Sequence, residues 1–553
     1  MTDGTVLFAA RSATALYRLL DVLPVFAGDA RIDRRFTLVP GSDFGIDALA
    51  AIEHARARTI PWDEALRHTH DLILAASPKG ELRLLRGTRA LLPHGAGFSK
   101  SLRGEGSGDS ASGLDPAYLL PDGNALASFH ALAHPSQVAQ LAAASPQAAA
   151  RAAVVGDPTL ERILASRDHR DRYRAALGTG ARKLIVLTST WGPESLFRRR
   201  PGLLSGLALH LPYDTYQLAL VLHPNERSLI GAFDLTERLA PAIDAGMALA
   251  GPYEEWGALL TAADAVVTDH GSTALYAAAL GCPLIGAYDG GDELIPGSPM
   301  AELLSQSPRL EEPGDTGSLE AALGAPHRPG AVRALADTVF AEQGRALGRL
   351  REELYGLLRL APPPQPVAAR LLPSPSPPAR TPAAFAVRTE VSGEEIRVER
   401  LPAHTDAPAQ YLAAEHGAAG EPYAQSAGLL YRRRAPQPAA APHSVAWTAA
   451  GWTAHALGGY PGCRTAAAIL EPWLCVVRAR SRSLLSVRIE PRQEDGRVVR
   501  ADPAAVLCAV HAWLAGRAGP RAESAELSCV IGGVAFRARL SPATADEAAH
   551  VLD

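Results

Sequence analysis

The feature that most restricts the fold is an alternation, run through twice, of short apolar β-type runs with amphipathic helical stretches. In the first part of the chain the runs are Val6–Ala9, Phe36–Val39, Leu72–Ala75 and Ala90–Leu92. In the second they are Leu184–Thr188, Gln217–Leu222, Ala265–Thr268 and Pro283–Ala287. Stretches such as Ala13–Leu20 and Glu254–Ala262 lie between them. Strands that are apolar on both sides need cover on both sides, so the pattern predicts parallel sheets with helices on either face. Two such series predict two doubly wound, Rossmann-like α/β lobes. Their expected bounds are 1–155 and 156–360, with the join near Val154-Val155-Gly156-Asp157-Pro158 and a helix Gly330–Leu360 closing the two-lobe body.

The alternation stops at residues 361–383, where nine prolines fall between Ala361 and Pro382. Such density predicts an extended, polyproline-like linker. Residues 384–553 then read as a small α+β accessory domain. Phe385–Val391 and Ile396–Leu401 are expected to pair, and Leu484–Ile489 precedes a helix Pro503–Ala518. Leu527–Val530 and Val534–Leu540 flank Gly532-Gly533, a hairpin signal. His443, His455 and His511 have no ligand spacing, so this domain is expected to serve interaction or regulation, with no partner indicated by its residues.

Composition narrows the functional classes. Fifty-four Lys and Arg against 58 Asp and Glu give a net charge of −4, which supplies no global field for nucleic acid. Five widely spaced cysteines without a CxxC argue for a reducing compartment. With no basic n-region before Thr5–Ala10 and no uninterrupted apolar span, the expected location is the cytoplasm. Arg198-Arg199-Arg200 beside Phe197 would suit a peripheral contact with the inner membrane face, or else ordinary solvated surface. No acidic DxD pair stands at a strand end, and neither a metal nor a cofactor is expected.

Doubly wound sheets bind ligands outside the carboxyl ends of their strands, so the residues just after each run carry the functional reading. Thr268-Asp269-His270-Gly271-Ser272-Thr273 reads as strand end, tight turn and helix start. Its amides and hydroxyls suit a diphosphate, although Ser272 and Thr273 would equally serve as simple helix caps. Pro93-His94-Gly95-Ala96-Gly97 with Lys100 follows a first-lobe strand. His94 there is placed to take a proton from an acceptor hydroxyl, an effect of about 10²–10⁴-fold in rate, or merely to bond its glycine-rich loop. His223-Pro224-Asn225 ends a second-lobe strand and could donate to a phosphate oxygen or protonate a leaving group. Ser189-Thr190-Trp191-Gly192 could add hydroxyls and amides, and Tyr253 and Glu254 are placed for a nucleobase and ribose.

In this order the segments resemble the CDP-glycerol glycerophosphotransferase family, the teichoic-acid polymerases and primases of cell-wall synthesis. More broadly they resemble transferases of the glycosyltransferase-B fold. The matching pieces are Pro93-His94-Gly95 with Lys100, Gly156-Asp157-Pro158, Ser189-Thr190-Trp191, Leu222-His223-Pro224 and the Thr268–Thr273 turn. The family has tryptophan where Pro93 stands and Tyr-Ser where this chain has His270-Gly271-Ser272. The resemblance covers about residues 1–355.

It implies a first lobe that holds the acceptor around Gly95, Gly97 and Lys100, with His94 acting as base or holding the acceptor. It also implies a second lobe that binds a CDP- or UDP-linked donor. There His223 would act on the diphosphate, with Thr190, Trp191, Pro224, Tyr253, Asp269, Gly271, Ser272 and Thr273 as nucleotide ligands. The expected activity is transfer of a glycerol-phosphate, polyol-phosphate or sugar group to a polyol or glycan hydroxyl. Two alternatives are a non-catalytic nucleotide sensor on the same scaffold and a sugar-nucleotide 2-epimerase, for which Asp289, Asp292 and Glu293 would supply carboxylates.

Overall fold

The computed structural model describes residues 4–41, 45–101, 111–251, 254–311, 316–325, 329–434, 445–480, 482–517 and 524–552. In the first lobe the strands are β1 (Gly4–Ala10), β2 (Ile32–Leu38), β3 (Thr69–Ala75), β4 (Arg86–Leu91), β5 (Phe129–Leu132) and β6 (Ala152–Val154). They form one parallel sheet in the order β2-β1-β3-β4-β5-β6. In the second, β7 (Lys183–Ser189), β8 (Tyr216–Leu222), β9 (Ala248–Leu249), β10 (Ala265–Thr268) and β11 (Leu284–Gly286) form a parallel sheet ordered β11-β10-β7-β8-β9. All eight expected strands are present. β5, β6 and β9 are two to four residues long, too short for a hydrophobic pattern to register. β2 begins earlier than expected because Asp33, Arg34 and Arg35 sit on an edge strand, where charged side chains reach solvent.

The expected helix Gly330–Leu360 is two helices, Pro329–Asp337 and Ala346–Leu358. Between them Glu342 (φ 53°) and Gly344 (φ 76°) turn the chain through left-handed backbone, which no helix can contain. The second helix returns to the first lobe, where Leu347, Leu350, Leu354 and Tyr355 join the core that includes Val6, Phe8 and Leu72. The segment 156–360 therefore ends on the lobe opposite to the one it began.

The proline-rich stretch contains no helix or strand, but it is a docked strap rather than a spacer. Val367 and Ala369 pack on the first-lobe core, and Leu372 is buried in the second. The Leu372 amide donates to Ser166 Oγ (3.0 Å), and its carbonyl accepts from Tyr173 Oη (3.0 Å). Arg162, a buried cation, binds the carbonyls of Arg370 and Leu371.

The C-terminal region is not a small α+β module. Nine of its strands close into a barrel: β12 (Ala384–Ser392), β13 (Glu395–Pro402), β14 (Tyr411–Glu415), β15 (Leu429–Arg433), β16 (Thr465–Glu471), β17 (Leu474–Ala479), β18 (Leu485–Ile489), β21 (Ala525–Ile531) and β22 (Val534–Pro542). A short outer hairpin, β19 (Arg492–Glu494) with β20 (Arg497–Val499), lies apart. The expected pairing of β12 with β13 and the hairpin of β21 with β22 are both present. The helix Pro503–Ala515 is buried from Pro503 to Leu514, with side chains on all sides in the barrel core. Its all-round apolarity, Val506-Leu507-Cys508-Ala509-Val510, is that of an enclosed helix. Closure depends on pairings distant in sequence, such as β13 with β21, which local patterning does not reveal.

Arg400 fixes this barrel to the second lobe. Its fully buried guanidinium forms two bonds to Asp214 (2.8 and 2.6 Å) and one to Asp502 (2.8 Å). Asp214 precedes β8, so the barrel grips the end of the sheet opposite to the strand-end loops.

All five cysteines are buried free thiols. Among the described residues no helix is long and apolar enough to cross a membrane. The arginine run is not a free basic patch: Arg198 pairs with Glu226, Arg199 with Glu194, and Arg200 binds the carbonyls of Ala287, Leu310 and Glu311.

Candidate functional site

The carboxyl ends of both sheets open onto one cleft between the lobes. In the second lobe the strand order reverses between β7 and β10, and in the first between β1 and β3. Such reversals leave a crevice at the strand ends, where doubly wound proteins bind ligands. His94, Gly95 and Lys100 from the first lobe line this cleft. So do Thr190, Trp191, His223, Pro224, Gly271, Ser272 and Thr273 from the second. Tyr253 lies outside the described residues.

His223 stands at the end of β8 and caps the helix Pro224–Ile230. Its Nδ1 accepts the Asn225 amide (3.1 Å), which leaves the proton of the neutral ring on Nε2. Burial, with the charges of Lys100 and His94 nearby, lowers its pKa to about 3. The two expected histidines therefore share one electrostatic environment, and His223 is a neutral donor at pH 7.

The loop carrying His94 approaches the second-lobe helix Thr273–Leu280 closely. A side chain at Gly95 would meet Ser272 Oγ at 3.3 Å, and one at Gly97 would meet Leu275 at 3.1 Å. Gly97 does not itself line the cleft; with φ 80° it lets the loop turn beneath it. Ser272 makes no capping bond at the start of the helix Thr273–Leu280. Its hydroxyl is thus not committed to the helix, unlike those of Ser12, Ser195 and Ser298, which cap theirs.

Asp269 lies behind the wall and not in it. Its carboxylate accepts the amides of Thr190 (2.8 Å), Leu196 (2.9 Å) and Gly271 (2.9 Å), and is buried. It fixes the loop after β7 to the turn after β10. A buried carboxylate so satisfied shapes the site and does not bind an anion.

Lys100 lines the cleft and is also tied across it. Its ammonium forms an ion pair with Glu293 of the second lobe (2.7 Å) and donates to the Trp191 carbonyl (3.4 Å). The backbone adds Ser101 N–H to Glu293 O and Ile295 N–H to Ser99 O, so the first-lobe loop is fastened across the cleft. The same Glu293 oxygen lies 3.1 Å from His270 Nε2. Burial opposes the Glu293 charge, but His270 and Lys100 outweigh it and hold the carboxyl below its ordinary value. Asp289, Asp292 and Glu293 do not line the cleft, so the carboxylates expected for an epimerase are not in its wall.

Arg18, Asp21 and Tyr276 line the cleft without having been singled out from the sequence, and ion pairs behind them join the two lobes. Asp157 caps the helix Pro158–Ala165 through the Leu160 amide, accepts from Tyr276 Oη (2.8 Å) and faces Arg18 (3.4 Å). Arg162 joins Asp21 of the first lobe to Glu254 of the second, each at 2.8 Å. Glu254 is therefore held in an ion pair, not free for a ribose. Asp-Pro at a helix start was a readable capping signal for Asp157. Nothing local marked Arg18, Asp21 or Tyr276, whose hydrogen-bond and ion-pair partners lie 76 or more residues away. Among the described residues, no group of three or more His, Cys, Asp or Glu side chains could hold a metal ion.

No protein-family model matches this chain, and a search of curated proteins finds no similar sequence. Solved structures do resemble it. The wall teichoic acid polymerase TagF aligns with 15% identity over 65% of this chain and 90% of its own, at a TM-score of 0.48. The S. aureus MnaA–UDP structure aligns with 9% identity over 65% and 98%, at 0.42. Anabaena Alr3699/HepE in complex with UDP aligns with 15% identity over 64% and 100%, at 0.37. Likenesses this distant say nothing about activity.

Proposed function

We propose that this protein transfers a group from a nucleotide-diphosphate donor to a hydroxyl acceptor in the cleft between its two α/β lobes. The observation that carries the reading is the convergence of His94, His223 and the uncapped Gly271–Thr273 turn at the facing strand ends. The donor diphosphate lies along the turn, where helix-start amides and the Ser272 and Thr273 hydroxyls donate to its oxygens. His223 Nε2–H adds a neutral donor. Charge that develops on the leaving phosphate is met by groups already oriented, which is where such donors act most strongly. The nucleoside extends toward Ala250, Gly251 and Trp256, which line the same wall.

The acceptor enters from the first lobe with its hydroxyl at His94. As the acceptor oxygen forms its new bond, His94 takes the hydroxyl proton. If the transferred group is a polyol phosphate, the bond forms at the β-phosphorus and a nucleoside monophosphate leaves. If it is a sugar, the bond forms at the anomeric carbon and a nucleoside diphosphate leaves.

The test is turnover of CDP-glycerol and UDP-sugars with polyol and glycan acceptors, followed as release of CMP or UDP. Release by the wild-type protein, lost in His94→Ala with donor binding retained, supports the reading. Full turnover in His94→Ala contradicts the role of the base, and donor binding without any turnover points to a sensor.

A further inference from the structure

The proline-rich strap of residues 361–383 has no part in the mechanism above, yet it lies directly behind one wall of the cleft. Gly251 and Trp256 line the cleft where the nucleoside is placed, while Glu254 and Glu255, at the start of the helix Glu255–Ala262, stand behind them. Both carboxylates are held by the strap. Glu254 pairs with Arg370 of the strap and with Arg162 (2.8 Å). Glu255 Oε1 accepts from Ser376 Oγ (2.7 Å), and its Oε2 accepts from the Gly251 amide (2.7 Å). One carboxylate thus links the strap to a residue of the cleft wall. Gly251 permits that link, since a Cβ there would come within 2.9 Å of the Glu255 carboxylate.

The strap also lies against the helix itself, because a Cβ at Gly257 would meet Leu372 at 3.0 Å. Farther along, Arg380 pairs with Asp244 (2.6 Å), and a Cβ at Gly246 would meet Pro382 at 3.1 Å. Gly246 precedes β9, and Ala250, which follows β9, lines the cleft too. The strap therefore holds this wall from both ends, before β9 and after Gly251. Two adjacent carboxylates at one helix start repel each other, and an unanswered one behind the wall would repel an anionic nucleotide in front of it. Arg370 and Arg162 answer Glu254, and Ser376 orients Glu255 so that its second oxygen stays on the Gly251 amide. A wall ordered in advance spares the ligand the entropy of ordering it on binding.

We infer that the strap is a positioning element of the donor site: Arg370, Leu372 and Ser376 hold Ala250, Gly251 and Trp256 in the arrangement that receives the nucleoside, without touching it. The inference rests on the proposed donor reading. The role belongs to the strap and not to the barrel, because every contact named lies before the first barrel strand at Ala384. Coupling of this kind is reciprocal. Whatever factor the docked strap adds to nucleotide affinity, bound nucleotide adds to strap docking.

The experiment uses the full chain. Calorimetry with CDP and UDP reads affinity in Ser376→Ala, Arg370→Gln and the double variant. Hydrogen exchange reads the wall and the strap with and without nucleotide. Both side chains are exposed, so the variants should fold. Each single change should weaken nucleotide binding about threefold or more, and the two together about tenfold or more. Exchange at the wall should quicken in the same variants, and nucleotide should slow exchange in the wild-type strap. Ser376→Thr, which keeps the hydroxyl, should restore affinity. In turnover the donor KM should rise while kcat and the acceptor KM hold. Ser376→Ala combined with Glu255→Gln should bind no more weakly than Glu255→Gln alone, since both act through one contact. Arg400→Met, which loosens the barrel and leaves the strap's contacts in place, should bind nucleotide as the wild type does.

The inference is overturned if the wild type binds nucleotide and the double variant binds it as tightly, or if kcat falls while the donor KM stays unchanged. A wild type that binds neither CDP nor UDP contradicts the donor reading itself, and the positioning role falls with it. Whether the wild type binds therefore tells the two failures apart.

Discussion

His223 offers a prediction with a calculable sign. Its pKa of about 3 lies some four units below neutral pH, so protonating the ring at pH 7 costs about 5.5 kcal/mol. A diphosphate would have to return more than that to bind as a partner of the imidazolium. The Asn225 amide adds a further obstacle, because protonation of Nδ1 would break the bond it accepts. His223 should therefore bind the donor as a neutral Nε2–H donor, without proton uptake. A hydrogen bond to a charged group contributes about 1.5–3 kcal/mol, so His223→Ala should weaken nucleoside diphosphate binding about 10- to 150-fold. The assay is calorimetry of CDP or UDP binding at pH 7.5 in buffers of different ionisation enthalpy. Equal apparent enthalpies in all the buffers, with the stated loss in His223→Ala, meet the expectation. Uptake of about one proton that disappears in His223→Ala would refute the reasoning.

Three further outcomes follow from the packing. His130 and His511 are buried with pKa values lowered by desolvation to about 4, so the unfolded chain binds more protons below pH 6.5. Stability should be intact above pH 6.5 and fall by up to about 1.4 kcal/mol per pH unit for each histidine toward pH 4. Urea midpoints measured across that range, with His130→Leu flattening the slope, check this. Arg400→Met leaves Asp214 without its buried partner and should cost the barrel's docking about 3–5 kcal/mol. Limited proteolysis should then release the region after residue 383 while nucleotide affinity is unchanged. Finally, Gly95→Val should block the approach of the His94 loop to Ser272, lowering turnover at least tenfold with little change in donor affinity, read as kcat against KM.

The sequence made the two sheets legible because their central strands are apolar on both faces, and it made the strand-end histidines legible because fold geometry says where to look. What it concealed depended on distance along the chain. β9 is two residues long and holds its place only through β8. The barrel closes through β13 and β21, more than 100 residues apart, and its central helix lacks the amphipathic stripe that identifies a helix lying on a sheet. Proline density predicted a segment without helix, and the stretch holds neither helix nor strand, yet it could not show that Leu372 and Arg370 would be held by Tyr173, Ser166 and Arg162. At the site, His94 and His223 could be singled out, whereas Asp269 looked like a ligand because its inward orientation is not written in its neighbours. Lys100 lay in the right loop, but its ion pair with Glu293 spans the two lobes.

The central claim is that the facing strand ends of the two lobes hold a nucleotide-diphosphate donor. A crystal structure of the full chain with CDP or UDP bound tests it most directly. The account predicts the diphosphate within hydrogen-bonding distance of His223 Nε2 and the Gly271–Thr273 amides, with His94 across the cleft. A nucleotide bound elsewhere, or a cleft that stays empty at saturating ligand, would contradict it.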